Sequence, residues 1–287
     1  MRDILTSPRI EDMKRKRRNR RRRIAVMLAI LFISLVGALA YFSSHHNVTI
    51  NHIKVEGTQI INTPEVESYV MDGLSGRYIY LFARSNSFIY PHDKIYKGLI
   101  KSFPRIETLA ISRDKLNTLE IKISERSGAY LYCGADVPKV KSEVGENCYF
   151  INNDGYIFDK APYFSGNVYF KYYSTLPLDT SPLTQYVFPT DRFHLLMRFV
   201  DGVTSLGFEP IYFTVESDGT HSLYLNNKSG LTTPKVIFKL EDDLASIFDN
   251  LSTAMGKSEF AREINSKYDT LLYIDLRFDN KVLYKFQ

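Results

Sequence analysis

Residues 24–42 read IAVMLAILFISLVGALAYF, nineteen consecutive positions without a charged side chain. An α-helix rises about 1.5 Å per residue, so a helix of this length spans the hydrocarbon core of a bilayer, which is about 30 Å thick. A cleavable signal peptide also contains an apolar run, but that run is about 7–15 residues long and ends at a small-x-small site, which Ala38 and Ala40 could imitate here. The length of the stretch and its aromatic end favour a transmembrane helix that is retained.

The segment before this helix is strongly basic. Nine of the ten residues 14–23 are Lys or Arg. Positive charge next to an apolar span stays on the cytoplasmic side, so the pattern predicts a cytoplasmic tail at 1–23, a membrane helix at 24–42 and a short juncture at 43–47 outside. A nuclear signal or a nucleic-acid-binding arm would also be basic, but neither explains the adjacent apolar run. The remaining ectodomain must therefore carry the function.

The ectodomain carries little net charge. Residues 1–23 hold 11 of the 37 Lys and Arg residues but 3 of the 32 Asp and Glu residues, which leaves 26 basic and 29 acidic residues in the remainder. A nucleic-acid-binding domain normally shows a basic excess on its folded surface, so we expect no nucleic-acid partner. The whole chain is 44% hydrophobic and 24% charged, which excludes a disordered polypeptide.

The first part of the ectodomain shows the element order β-α-α-β-β. The predicted elements are a strand at 48–55, helices opening at Thr63-Pro64 and near Pro91, and strands at 106–112 and 119–123. The last of these strands alternates Leu119, Ile121 and Ile123 with polar residues, which indicates one buried face.

The second part reads as an antiparallel-rich sheet with packed helices, so the ectodomain as a whole is predicted to be α+β. The predicted helices lie at 191–205 and 241–255, and the predicted strands lie at 129–132, 149–151, 210–215, 221–225, 235–238, 271–277 and 281–286. Phe248 and Leu251 belong to an apolar stripe on the second helix, which indicates packing against a core.

Two cysteines, Cys133 and Cys148, follow and precede predicted strands that could face each other across a hairpin. The loop between them contains Pro138 and Gly145. An exported domain permits a disulfide, and free buried thiols are the alternative. No histidine lies close in sequence to either cysteine, so we expect no zinc site.

Motifs of catalysis are missing from the sequence. It contains no GxSxG elbow, no GxxxxGK[ST] loop and no GxGxxG after a strand. A cell-wall hydrolase could still use two dispersed carboxylates such as Asp159 and Glu209. An ectodomain with 29 acidic residues yields many such pairs by chance, so we expect no catalytic residue, no metal and no cofactor.

Several short motifs follow one another along the ectodomain: Ile53-Lys54-Val55-Glu56-Gly57, Phe103-Pro104-Arg105-Ile106-Glu107, Arg113, Leu119-Glu120-Ile121-Lys122-Ile123, Glu125-Arg126, Ile151-Asn152-Asn153-Asp154-Gly155-Tyr156-Ile157-Phe158 and Tyr273-Ile274-Asp275-Leu276-Arg277-Phe278. With the basic tail and the apolar helix, they resemble the FtsQ/DivIB family of bacterial cell-division proteins, from about Lys14 to Phe286. The resemblance implies a POTRA domain at 48–126 and a β-domain at 127–287. The chain departs from the family pattern at Gly128, where proline is usual, and in an enlarged connection at 173–190.

The resemblance implies a non-catalytic, single-pass membrane scaffold at the division septum. Its implied partners are membrane proteins of the FtsB/DivIC and FtsL types and the proteins of septal peptidoglycan synthesis. Two other classes stay open from the residues alone. The first is a membrane-anchored cell-envelope enzyme, and the second is a POTRA-type assembly or secretion chaperone. Proteins of the second class that assemble outer-membrane proteins normally contain a transmembrane β-barrel after their POTRA domains. The regular series of strands that forms such a barrel is absent from this sequence.

The predicted strand at 281–286 is expected to lie at a sheet edge, because only Gln287 follows it in the sequence. In the family that the chain resembles, the corresponding strand receives the FtsB/DivIC-type partner by β-augmentation. The residues implied to bind it are Arg277, Phe278, Asn280, Lys281, Val282, Leu283, Tyr284 and Phe286. Arg277 could pair with an acidic residue of the partner. In the alternative interpretation, the aromatic side chains face the core and the lysines only protect the edge from aggregation.

Overall fold

The structure is a computed structural model that describes residues 8–137, 147–176, 181–216, 218–278 and 281–287. The chain divides after Glu125 into two compact units, here called the N-terminal unit and the C-terminal unit. Both units contain helices and strands, so the predicted mixed α+β fold class is confirmed.

The N-terminal unit contains helices α1 (Pro8–Ser43), α2 (Thr63–Leu74) and α3 (His92–Ser102) and strands β1 (His52–Glu56), β2 (Arg77–Tyr78), β3 (Phe82–Ala83), β4 (Ile106–Lys115) and β5 (Thr118–Glu125). The C-terminal unit contains strands β6 (Tyr130–Tyr132), β7 (Tyr149–Ile151), β8 (Ile157–Lys160) and β9 (Lys171–Tyr173), helix α4 (Thr190–Ser205), strands β10 (Pro210–Val215), β11 (His221–Leu225) and β12 (Lys235–Phe238), helices α5 (Leu244–Gly256) and α6 (Ser258–Ser266), and strands β13 (Leu271–Phe278) and β14 (Lys281–Phe286).

Helix α1 is long and apolar enough to cross a membrane, by length and composition, with a mean hydropathy of 2.6 in its apolar window. Its apolar side chains, including those of Leu31 and Phe32, are exposed along the helix. The helix extends beyond the predicted span of 24–42 and runs through the basic segment without a break. Lys and Arg are good helix formers, so the basic segment continues the helix instead of ending it.

The N-terminal unit is built on a three-stranded sheet in the order β1-β5-β4. Strand β1 pairs with β5 in parallel, and β4 pairs with β5 antiparallel. Helices α2 and α3 contribute Val66, Val70 and Leu99 to the core, where they meet Leu119 and Ile121 of β5. All five side chains are buried, so the alternating pattern of β5 faces the two helices as its period predicts.

Glu125, the last residue of β5, fastens the loop that follows β1. One oxygen of its carboxylate accepts hydrogen bonds from the amides of Gln59 (2.6 Å), Ile60 (3.0 Å) and Ile61 (2.9 Å). Burial raises the pKa of this carboxyl, but the amide hydrogen bonds and the charge of Arg105 outweigh burial and hold the pKa below its usual value. Glu125 of the Glu125-Arg126 motif therefore has a structural role, which is the closure of this loop.

The sequence predicts a strand at 48–55, but β1 begins at His52. Residues His46–Val48 form a short 3₁₀ turn, and Thr49 bridges to Asn86. Asn86 follows the hairpin formed by β2 and β3, which the sequence does not predict. Its turn contains no glycine, asparagine or aspartate, so it carries none of the residues that usually signal a hairpin.

The C-terminal unit is built on a nine-stranded sheet in the order β14-β13-β12-β11-β10-β9-β6-β7-β8. Three pairs are parallel, namely β12 with β13, β9 with β10 and β6 with β9, and the other pairs are antiparallel. Helix α4 packs Phe193, Leu196 and Phe199 into the main core, which also contains Phe213 and Phe238 of the sheet. The sheet is therefore mixed and rich in antiparallel pairs.

Two helices follow β12, whereas the sequence predicts one helix at 241–255. Helix α5 matches that prediction and buries Leu244, Ile247 and Leu251. Helix α6 is an addition, and its short span buries only Ile264 completely. A nine-residue helix has too few turns for its apolar period to stand out in a sequence, which is why α6 escaped prediction.

Cys133 and Cys148 form a disulfide in the structure, with their Cα atoms 4.2 Å apart. Cys133 directly follows β6, and Cys148 directly precedes β7, which pairs antiparallel with β6. Both cysteines pack in a small buried cluster with Leu131. The predicted loop through Pro138 and Gly145 lies outside the described residues.

Removing this disulfide should lower the free energy of unfolding of the C-terminal unit by about 3 kcal/mol, because the closed loop spans a sequence separation of 15 residues. The variant is Cys133→Ala combined with Cys148→Ala, and the measurement is urea unfolding of the full chain in detergent micelles. Reduction of the wild-type protein should produce the same loss, and the double variant should not respond to reductant. Two alkylatable thiols in denatured, non-reduced protein from its own membrane would contradict the pairing.

Candidate partner-binding edge

Strand β14 lies at one end of the nine-stranded sheet, and among the described residues its one neighbouring strand is β13. The two strands run antiparallel, with Ile274 opposite Tyr284 and Asp275 opposite Leu283. The free side of β14 therefore presents a row of backbone N–H and C=O groups, here called the β14 edge. Such a row can pair with a strand from another chain.

The direction of each β14 amide follows from one hydrogen bond at the end of the strand. The amide of Gln287 donates to the carbonyl of Thr270, just before β13, at 2.8 Å. The N–H and C=O groups of successive residues point alternately to the two sides of a strand. The register shifts of the β13–β14 pair insert extra residues in β13, so the alternation continues without a break along β14. The amides of Lys285 and Leu283 therefore face β13, while the amide of Tyr284 faces the open edge.

One face of β14 packs inward. Val282 and Phe286 are partly buried against the main core. Tyr284 lies between them on the same face, and its ring makes edge contacts with Phe260 of α6 (centroids 5.2 Å apart) and with Phe286 (5.6 Å). Phe286 thus faces the core as the alternative interpretation predicts, whereas Tyr284 packs on α6 and is still 37% exposed.

Helix α6 holds Tyr284 through a polar contact as well. The Tyr284 hydroxyl donates a hydrogen bond to Glu263 (2.8 Å), and Glu263 also accepts one from Lys267 (2.9 Å). The bond to Glu263 raises the pKa of the Tyr284 phenol, and the bonds from Lys267 and Tyr284 lower the pKa of Glu263. Prediction from the sequence missed Glu263 and Phe260 as residues of the site, because it missed α6.

The opposite face of β14 is exposed. It carries Lys281, Leu283 and Lys285, and the Leu283 side chain is 45% exposed. Phe278, at the end of β13 and opposite Lys281, is 49% exposed. The site thus combines an open backbone edge with an apolar and positively charged side-chain surface. Asn280, the remaining predicted contact, lies outside the described residues.

Arg277 is already paired within the chain. Its guanidinium donates to both carboxylate oxygens of Asp275, at 3.0 and 2.7 Å, and its own amide donates to the same carboxylate. Burial raises the pKa of Asp275, but these hydrogen bonds and the positive charge of Arg277 outweigh burial and lower the pKa overall. Because Asp275 occupies one side of the guanidinium, an acidic residue of a partner would have to share Arg277 with this internal carboxylate.

The two carboxylates considered for a hydrolase lie in different parts of the sheet. Asp159 belongs to β8, and Glu209 immediately precedes β10. Four strand spacings separate β8 from β10, about 19 Å along the sheet, whereas glycosidase carboxylates lie about 5–9.5 Å apart. Glu209 accepts a hydrogen bond from the side chain of Asn226 at 2.9 Å. This pair therefore does not form a catalytic site of that type.

Among the described residues, no group of three or more His, Cys, Asp or Glu side chains could hold a metal ion. The β14 edge is the feature at which the predicted site residues come together, since seven of the eight lie on β13 and β14. We identify the β14 edge as the candidate site from this geometry. No family model matches the sequence, and no curated protein matches it either.

Proposed function

We propose that this protein is a non-catalytic, single-pass membrane scaffold of the bacterial division machinery, of the FtsQ/DivIB type. The observation that carries the proposal is the β14 edge, an open strand with an exposed apolar and basic face. A protein that recruits others needs such a surface, and it needs no catalytic group.

The order of elements in the N-terminal unit supports the same assignment. Strand β1, helices α2 and α3, and strands β4 and β5 follow the β-α-α-β-β order of a POTRA domain, with the small β2–β3 hairpin inserted between the helices. Helix α1 precedes these elements, and its length and composition support a role as a membrane anchor. The basic residues at 14–23 support a cytoplasmic N-terminus, with the part of the chain that follows α1 outside the cytoplasm.

The proposed binding mode is β-augmentation at β14. A strand of an FtsB/DivIC-type partner pairs with the free backbone groups, and its side chains contact Leu283 and Phe278. Lys281 and Lys285 favour an acidic partner strand by charge. The FtsL-type protein and the septal peptidoglycan synthesis proteins join through this partner, and the assembly acts at the septum.

Depletion of the protein in its own cells should block division and produce filaments if it is a division scaffold. A photo-crosslinking amino acid at Leu283 should then capture the FtsB/DivIC-type protein in these cells. Leu231, an exposed leucine outside β13 and β14, is the matched control position and should not capture it. Normal division after depletion would contradict the function, whereas filamentation with equal crosslinking at both positions would contradict the edge alone.

A further inference from the structure

The β2–β3 hairpin of the N-terminal unit ends in an exposed apolar tip. Ile79 is 83% exposed and Tyr80 is 93% exposed, although both are large apolar or aromatic side chains. Both residues also have positive φ angles, 48° and 61°. The Leu81 amide closes the turn by donating to the Tyr78 carbonyl at 3.0 Å.

This turn is unfavourable for its own sequence. Two central residues with positive φ are characteristic of a type I′ turn, where Asn and Gly are preferred and a β-branched residue such as Ile79 is strained. Burial of the side chains within the chain could offset this cost, but Ile79 and Tyr80 are almost fully exposed. Strained residues of this kind occur at sites that bind something outside the chain.

The hairpin is fixed to the end of α1 by hydrogen bonds. The amide of Ala83 in β3 donates to the Ser43 hydroxyl (3.2 Å), and the Asn86 side chain donates to the Ser43 carbonyl (3.0 Å). Ser43 is the last residue of α1 and directly follows the apolar stretch 24–42. If α1 crosses a bilayer, these bonds hold β3 at the outer boundary of the hydrocarbon core.

The hairpin lies beside the end of α1. Its residues Leu81 and Arg77 line a cleft of about 420 Å³ whose other lining residues come from the last turn of α1 and from the segment just after it: Ala40, Tyr41, Ser44, His45 and His46. The exposed tip therefore belongs to a hairpin that is held next to the outer end of the apolar helix.

We propose that the β2–β3 hairpin inserts Ile79 and Tyr80 into the outer interface of the bilayer, beside the end of α1. Aromatic residues are enriched at this level of a membrane, where Tyr41 and Phe42 of α1 are also exposed. Arg77, at the base of the hairpin, binds phosphate groups of lipid headgroups by charge. The inference rests on the membrane crossing of α1 that the proposed function includes, and it adds a second attachment of the N-terminal unit to lipid.

The test uses fluorescence, because the chain contains no tryptophan. Tyr80→Trp provides a single reporter at the tip of the full-length protein in vesicles of phosphatidylethanolamine and phosphatidylglycerol. Its emission should shift to shorter wavelength than in water, and lipids spin-labelled near the headgroup should quench most of it. Ile60→Trp is the matched control, since Ile60 is exposed but follows β1, about 16 Å of extended chain away from the juncture. It should be quenched by acrylamide and not by the lipids.

Leu31→Trp, in the middle of α1, separates the two proposals. Lipids labelled near the chain end should quench it if α1 crosses the bilayer. Quenching of Leu31→Trp without lipid quenching of Tyr80→Trp would overturn the hairpin proposal and leave the anchor in place. A blue shift of Tyr80→Trp without lipid quenching would also overturn it, because the tip would then be packed on protein. Loss of lipid quenching at Leu31→Trp would overturn both proposals.

Discussion

Tyr284→Pro should lower the affinity for the proposed FtsB/DivIC-type partner by at least about 30-fold, which corresponds to about 2 kcal/mol. The Tyr284 amide faces the open edge of β14, as the alternation from the Gln287–Thr270 hydrogen bond indicates. Proline removes this donor, and its ring also obstructs the approach of an incoming strand. A net loss of about 1 kcal/mol is expected from the hydrogen bond alone, and the ring adds the remainder.

Two control variants separate loss of the edge from loss of the fold. Tyr284→Phe removes the hydrogen bond to Glu263 but keeps the edge amide, so partner affinity should stay near that of the wild type. Lys285→Pro removes an amide that faces β13, so it should lower the free energy of unfolding of the C-terminal unit. Circular dichroism and titration calorimetry measure the two effects. Unchanged affinity in a folded Tyr284→Pro variant would show that the partner does not pair with β14.

Gly57→Ala should destabilise the N-terminal unit by about 2–5 kcal/mol. Gly57 follows β1 with a φ of 87°, a conformation that costs a residue with a side chain about 1–2 kcal/mol. An added Cβ would also collide with the backbone carbonyl oxygen of Ile123 in β5. A backbone atom in a paired strand cannot move aside, so overpacking adds about 1–3 kcal/mol.

Gly76→Ala is the matched control for this prediction. Gly76 lies in the same unit and has a φ of 85°, but an added Cβ there meets only the end of the Arg84 side chain at 3.8 Å. Its substitution should cost the conformational penalty of about 1–2 kcal/mol without the collision. Thermal or urea unfolding of the full chain provides the comparison. Equal losses for the two variants would mean that the approach of β5 to Gly57 does not matter.

The local pattern of the sequence was sufficient to predict several elements. The alternation of Leu119, Ile121 and Ile123 indicated the buried face of β5, and these residues are buried in the structure. The apolar stripe that includes Leu251 indicated α5 and its core face. Such patterns succeed because burial on one side of an element leaves a period of 2.0 or 3.6 residues in its own sequence.

Other features left no such period. The β2–β3 hairpin has two-residue strands and a turn of Ile79 and Tyr80, and α6 is a nine-residue helix. The start of β1 at His52 depends on Thr49 pairing with Asn86, which lies 37 positions further along the chain. These elements form because distant segments supply their hydrogen bonds and packing partners.

The sequence by itself determined the apolar helix, the mixed α+β class and the positions of the strands that carry the candidate site. The sequence also predicted that the strand 281–286 lies at a sheet edge. Only the tertiary structure decided that this edge belongs to a nine-stranded sheet with β13 as the neighbour of β14, that α6 packs on Tyr284, and that Asp275 is hydrogen-bonded to Arg277. The physical reason is that strand order and side-chain partners depend on contacts between residues far apart in the chain. Local periodicity specifies which face of an element is buried, but it does not specify the neighbour against which that face packs.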